Sequence, residues 1–111
     1  MKFKKLLLGA FAVFAIASNA SAQLNMTYQA QLTYPGETCA NICGYVDSTG
    51  KEYALVGASL GMSIVDVTVP SAPVEVLRIP GPDNLWKEIK VRGKYAYVTT
   101  EAGGGLQIVN M

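Results

Sequence analysis

From residue 40 onward the chain breaks into apolar runs of four to eight residues, each bounded by Gly, Pro, Asp or Asn. Tyr53-Ala-Leu-Val-Gly-Ala58, Met62 to Val67, Val74 to Ile79, Trp86 to Val91, Tyr95 to Thr100 and Leu106 to Met111 are rich in Val, Ile, Tyr and Thr. Those side chains suit a pleated, half-buried surface. Asp47-Ser-Thr-Gly-Lys51 and Arg92-Gly-Lys94 separate neighbouring runs as hairpin turns, with Gly supplying positive φ. Beyond the N-terminal leader no stretch carries a helical period. The pattern predicts an all-β chain.

The pattern also repeats. Tyr53-Ala-Leu-Val56 returns as Tyr95-Ala-Tyr-Val98, 42 positions on, and Met62-Ser-Ile-Val-Asp66 returns as Leu106-Gln-Ile-Val-Asn110, 44 positions on. The extra residues fall in Thr100–Gly105 against Ser59–Gly61. Upstream, Cys43-Gly-Tyr-Val46 is matched to Trp86-Lys-Glu-Ile89, 43 positions on. A period near 42 residues with four strands is the pattern of a β-propeller blade. The expected fold is therefore all-β, with blades of four antiparallel strands. Residues 39–82 make the first blade, with strands near 43–47, 53–58, 62–67 and 74–80. Residues 83–111 make an incomplete second blade, with strands near 86–91, 95–100 and 105–111. About one and three-quarter blades are present, whereas propellers close with roughly four to eight. A lone repeat cannot bury its faces, so further C-terminal blades of the same polypeptide are expected as partners. A small self-contained β-domain is the alternative architecture.

The first residues follow a different rule. Met1-Lys-Phe-Lys-Lys5 is basic, Leu6 to Ala17 is apolar, and Ser-Asn-Ala-Ser-Ala22 ends in the small-residue pattern of a cleavage site. The apolar run is shorter than the ~20 residues a membrane-spanning helix needs. Residues 1–22 are expected to be a signal peptide cut between Ala22 and Gln23, leaving no transmembrane span in the mature chain. Residues 23–38, including Tyr34-Pro-Gly36, show no period and read as an extended lead-in. Export makes the protein secreted or surface-bound.

Removing the leader changes the charge. Lys2, Lys4 and Lys5 leave with it, so six basic residues face eight acidic ones. That balance, with no basic stripe, excludes a nucleic-acid partner. Cys39 and Cys43 are the only cysteines. Export permits a bridge between them, but the loop it closes is very small, and a buried free thiol stays open as an alternative. The chain holds no His, which removes Ser-His-Asp and Cys-His nucleophile systems and the usual zinc sets. No cofactor or metal is expected.

At these residues the chain resembles the LVIVD-repeat proteins, and more closely the exported bacterial group called choice-of-anchor B. The resemblance rests on Met62-Ser-Ile-Val-Asp66 and Leu106-Gln-Ile-Val-Asn110. Around them stand Gly44-Tyr-Val-Asp47, Gly50-Lys-Glu-Tyr-Ala-Leu-Val-Gly57, Val65-Asp-Val-Thr68 before Pro70 and Pro73, and Trp86-Lys-Glu-Ile89. It covers about residues 39–111. Cys43 stands where the group usually has Trp, and Asn110 where it usually has Asp. The resemblance implies a secreted or surface propeller and brings no catalytic residues.

Individual residues read mostly as scaffold. Asp66 and its repeat partner Asn110 both accept backbone hydrogen bonds well, so they read as structural turn residues. Gly103-Gly-Gly105 lacks the Lys and helix of a phosphate loop and reads as a hairpin connection. Tyr45, Tyr53, Tyr95 and Tyr97 read as core or inter-blade packing rather than a sugar platform, and Trp86 as packing at a blade start. Asn25-Met-Thr27 matches a glycosylation acceptor pattern but carries little weight. A carboxylate pair for acid–base chemistry would need Asp47 to meet Glu88 or Glu101. The function expected is a non-catalytic surface scaffold whose loops bind an unknown surface protein or glycan. The alternative is the N-terminal part of a propeller lyase or hydrolase with its site in further blades.

Overall fold

The computed structural model describes residues 25–111 of the chain. The expected signal peptide, and the expected cut between Ala22 and Gln23, lie outside the described residues. Seven strands follow in order: β1 Cys39–Val46, β2 Glu52–Ala58, β3 Gly61–Asp66, β4 Val74–Pro80, β5 Lys87–Arg92, β6 Tyr95–Thr100 and β7 Gln107–Asn110. No helix occurs among the described residues. Each strand pairs antiparallel with the next, giving one sheet in the order β1-β2-β3-β4 and another in the order β5-β6-β7. Both are up-and-down meanders joined by short connections.

The repeat is visible in the hydrogen-bond register. Tyr53 stands opposite Asp66 and Tyr95 opposite Asn110. Ala54 faces Val65 as Ala96 faces Val109. The second and third strands of each sheet thus superimpose as the sequence offsets imply. The first strands do not. Val56 faces Ile42, whereas its counterpart Val98 faces Ile89, an offset of 47 rather than 43. The cause is the hairpin: Asp47–Lys51 joins β1 to β2, but only Gly93 and Lys94 join β5 to β6. Cys43 is therefore the counterpart of Lys90, not of Trp86. β1 also starts at Cys39 rather than 43, with a bulge between Cys39 and Ile42.

The two sheets pack face to face. Leu55, Met62 and Ile64 of the first meet Ile89, Ala96 and Val98 of the second, all buried, with Cys43, Tyr45, Tyr53, Ile79, Val91 and Val109 around them. Burial of each large side chain contributes about 1.5–3 kcal/mol, so this seam is the main apolar store of the fold. Period-2 alternation puts Lys87 and Ile89 into it while Glu88 and Lys90 face outward. β5 runs beside β1 and, less closely, β2, so the first strands of the two meanders are neighbours.

A third layer comes from the lead-in. On the face of the first sheet away from the seam, Tyr34 donates its hydroxyl hydrogen to Ser63 Oγ at 3.0 Å, and Ser63 in turn donates to Glu75 Oε2 at 2.5 Å. Arg78 pairs with Glu37 and lies over the Tyr34 ring at 5.4 Å. Ser59 N donates to Thr38 O at 2.8 Å. β3 is consequently covered on both faces, and every residue from Gly61 to Val65 is buried. This explains why its sequence shows no alternation.

Candidate binding surface

The connections gather at two ends of the sheets, and the two ends differ in chemistry. One end holds the β1–β2 turn, the β3–β4 loop and the β5–β6 turn. Here the acids are tied into local structure. Asp66 Oδ1 accepts the Thr68 N–H at 2.9 Å, an Asx turn that ends β3 and starts the proline-bearing loop. Lys51 Nζ sits 4.0 Å from the same carboxylate, and hydrogen bonding from Thr68 holds the carboxyl below its ordinary value. Asn110 occupies the same register position opposite Tyr95. The Met111 N–H donates to Lys94 O at 2.8 Å, just as the Val67 N–H donates to Glu52 O at 2.9 Å.

Asp47 is bonded still more heavily. Its Oδ1 accepts from Thr49 Oγ1 and Thr49 N, both at 2.7 Å, and from Lys51 N at 3.1 Å. Its Oδ2 lies 3.4 Å from the Tyr53 hydroxyl. The Thr49 hydroxyl bond, the largest cause, and then the turn N–H groups lower the Asp47 pKa from 3.8. A carboxyl depressed on folding adds stability that is fully present above 3.8 and is lost as pH falls through the folded value. The expected result is a melting temperature that drops below pH 3.8 more steeply for the wild type than for Asp47→Asn. Identical pH profiles would show that the turn bonds add nothing.

Neither proposed carboxylate pair assembles. Glu101 lies at the opposite end of the sheets from Asp47. Glu88, on β5, is held by Asn41 Nδ2 at 3.0 Å and Lys90 Nζ at 2.6 Å. Among the described residues no three His, Cys, Asp or Glu side chains group as metal ligands. Cys39 and Cys43 are free thiols on β1. Four residues of strand at about 3.3 Å each keep their Cα atoms, even with the bulge between Cys39 and Ile42, beyond the ~7 Å a bridge tolerates. Among the described residues no helix is long and apolar enough to cross a membrane.

The other end gathers Ser59-Leu60, the Gly81–Trp86 connection and the Glu101–Leu106 loop. Its organiser is Lys87, only 5% exposed. The Nζ donates to Ser59 O at 2.7 Å, Pro82 O at 2.9 Å and Asn84 O at 2.9 Å, satisfying all three ammonium hydrogens. It ties the β2–β3 turn of one repeat to the connection that enters the next. Gly57 makes room for it: a Cβ there would lie 3.2 Å from Lys87 Cβ. Asn41 reaches across the same seam, accepting the Ile89 N–H at 3.3 Å through Oδ1. A lysine beside Glu88 reads as a surface residue, so only the register, which turns it inward on the same face as Ile89, reveals it.

Trp86 is not packed at a strand start. It precedes β5, is 61% exposed, and its backbone N–H donates to Asn84 Oδ1 at 2.7 Å. With Lys87, Glu88, Thr99, Thr100 and Glu101 it borders a cleft of about 290 Å³. Leu60, Leu85 and Leu106 are exposed on the same end, and Gly103, Gly104 and Gly105 all have positive φ (83°, 84° and 76°), which shapes the adjoining loop. Tyr45 and Tyr53 pack together with ring centroids 6.2 Å apart, against the core. Tyr95 and Tyr97 sit on the outer face of the second sheet. This loop end therefore gathers exposed apolar side chains, carboxylates and hydroxyls.

A family profile described as the LVIVD repeat matches residues 50–80 and 86–110. These matches span β2 to β4 and β5 to β7. No curated protein and no solved structure matches the chain.

Proposed function

The chain belongs to the LVIVD-repeat family, and from that premise we propose that its two sheets are blades of a β-propeller that acts as an exported, non-catalytic surface scaffold. The observation that carries the propeller is a seam used head to tail. Leu55 and Ile64 of the first sheet are buried under the second. Their register counterparts on the second sheet, Tyr97 and Ile108, face outward, with Ile108 59% exposed. Conversely Ile89 is buried in the seam, while its counterpart Ile42 on the first sheet is 67% exposed. Each sheet thus owns a covering face and a face to be covered. A heterologous contact repeated with constant rotation closes into a ring, and β1 beside β5 marks the axis side.

Export rests on the leader cut between Ala22 and Gln23 and places the protein at the cell surface or in the medium, as in the choice-of-anchor B group it resembles. The loop end bearing Leu60, Leu85 and Leu106 is the surface that presents a protein or glycan partner with its contacts. The test is capture of the exported chain on protein and glycan arrays, beside a Leu85→Asp/Leu106→Asp double variant. The expected result is a captured partner whose signal falls at least tenfold in the variant, with an unchanged melting temperature and an N-terminus at Gln23. Signal that survives the double substitution, or an array on which nothing is captured, would overturn the binding role.

A further inference from the structure

The seam between the sheets contains one seat that the fold repeats. In the first copy, Lys87 lies across Gly57 and sends its ammonium to Ser59 O, while Asn41 bonds Glu88 and the Ile89 N–H. The strand offsets, 42 on the second strand and 47 on the first, carried on into the bulge and the turn, give each wall of that seat a counterpart one repeat later: Glu88 for Asn41, Thr99 for Gly57, Thr100 for Ala58 and Glu101 for Ser59. Those four residues, with Trp86 and Lys87, border the open cleft of about 290 Å³ on the outer face of the second sheet, and the Lys87 ammonium itself is turned away to the Ser59, Pro82 and Asn84 carbonyls. We infer that this cleft is a lysine seat, filled by the first inner-strand lysine of a further LVIVD-type sheet docked on that face.

The inference rests on the propeller reading and adds the chemistry that selects the docking sheet. The Glu101 carbonyl takes the role of the Ser59 carbonyl. The second seat adds two features favouring a cation, the Glu101 carboxylate and the exposed indole face of Trp86. The Thr99 side chain raises the floor that Gly57 leaves low, so the incoming lysine stem lies farther out, against the indole. The occupant is a sheet rather than a free amine because the seat continues an apolar face, Tyr97 and Ile108, whose counterpart in the first repeat is already covered by a sheet.

Trp86 is the single tryptophan of the chain, so its emission reports on the seat. Met111 stands where Val67 stands in the first repeat, so a copy of residues 68–111 joined after Met111 supplies the next strand and sheet in register. The copy carries Trp86→Phe to keep one indole. With this extended chain the expected result is a blue shift of Trp86 emission and several-fold weaker acrylamide quenching. Both should be reversed when the copy also carries Lys87→Met, and weakened by Glu101→Gln in the original segment. On the unextended chain, n-propylammonium should protect Trp86 from acrylamide more than n-propanol does. Equal protection by lysine and methionine copies overturns the lysine seat and leaves sheet docking standing. Exposed Trp86 in both extended chains, and in a Thr99→Gly version, overturns the seat and the propeller together. Equal effects of n-propylammonium and n-propanol on the natural chain overturn the seat whether or not the added copy folds.

Discussion

Gly61→Ala is expected to unfold the first sheet. Gly61 opens β3 with φ +147°, a left-handed conformation that L side chains rarely adopt. A Cβ there would lie 2.1 Å from Ile79 O, 2.9 Å from Gly81 N and 3.0 Å from Pro80 Cα. All three atoms are backbone, so no rotamer change relieves the clash, and the end of β4 has to separate from β3. Strain and lost pairing together should cost on the order of 3–5 kcal/mol. That is comparable with the entire stability of a domain this small, about 0.05–0.15 kcal/mol per residue. Gly44→Ala is the control. A Cβ there meets nothing within 4 Å, and the change should stay within about 1 kcal/mol. Urea unfolding of the two variants decides; equal destabilisation would show that the tight β2–β3 corner is not built as described.

Lys87→Met should be the most damaging change in the seam. Methionine keeps the length of the stem but leaves the Ser59, Pro82 and Asn84 carbonyls without their shared donor. Losing charge-assisted bonds in a buried place should cost about 2–4 kcal/mol. Lys90→Met should be far milder, because its pair with Glu88 is exposed and screened by solvent. pH gives a second readout. Burial, the largest cause, lowers the Lys87 pKa from 10.5. In the window below 10.5 the unfolded chain therefore binds more protons at this residue than the folded one. The lysine's contribution then rises with pH there, and that slope should vanish in Lys87→Met. Matching slopes would mean the ammonium is not buried in the seam.

The strands were legible in the sequence because β-branched and aromatic runs punctuated by Gly and Pro leave few other solutions. The repeat was legible from Tyr53 and Tyr95 onward because identical side chains occupy identical pairings. The first-strand match failed for a specific reason: hairpin length varies between repeats, and Trp86-Lys-Glu-Ile89 resembles nothing in β1 strongly enough to correct the offset. Asp66 was readable since an acid before a proline-bearing loop has an obvious local acceptor role. Lys87 was not, because its three partners are backbone carbonyls from two separate connections, and carbonyls leave no trace in a sequence. Tyr34, Glu37, Ser63 and Arg78 were missed for the same kind of reason. They are scattered polar residues that become a network only once the lead-in lies on β3 and β4.

That lead-in also sets an order of events. Each meander forms from hairpins whose partners are close in the chain, whereas Tyr34 and Ser63 are 29 positions apart and Glu37 and Arg78 are 41 apart. Loop closure over such separations is entropically slower than zipping neighbouring strands. The surface that receives the segment does not exist until β3 and β4 have paired. In a chain made from its N-terminus, Tyr34 and Glu37 therefore appear before the sheet that receives them and are seated only after β3 and β4 have paired.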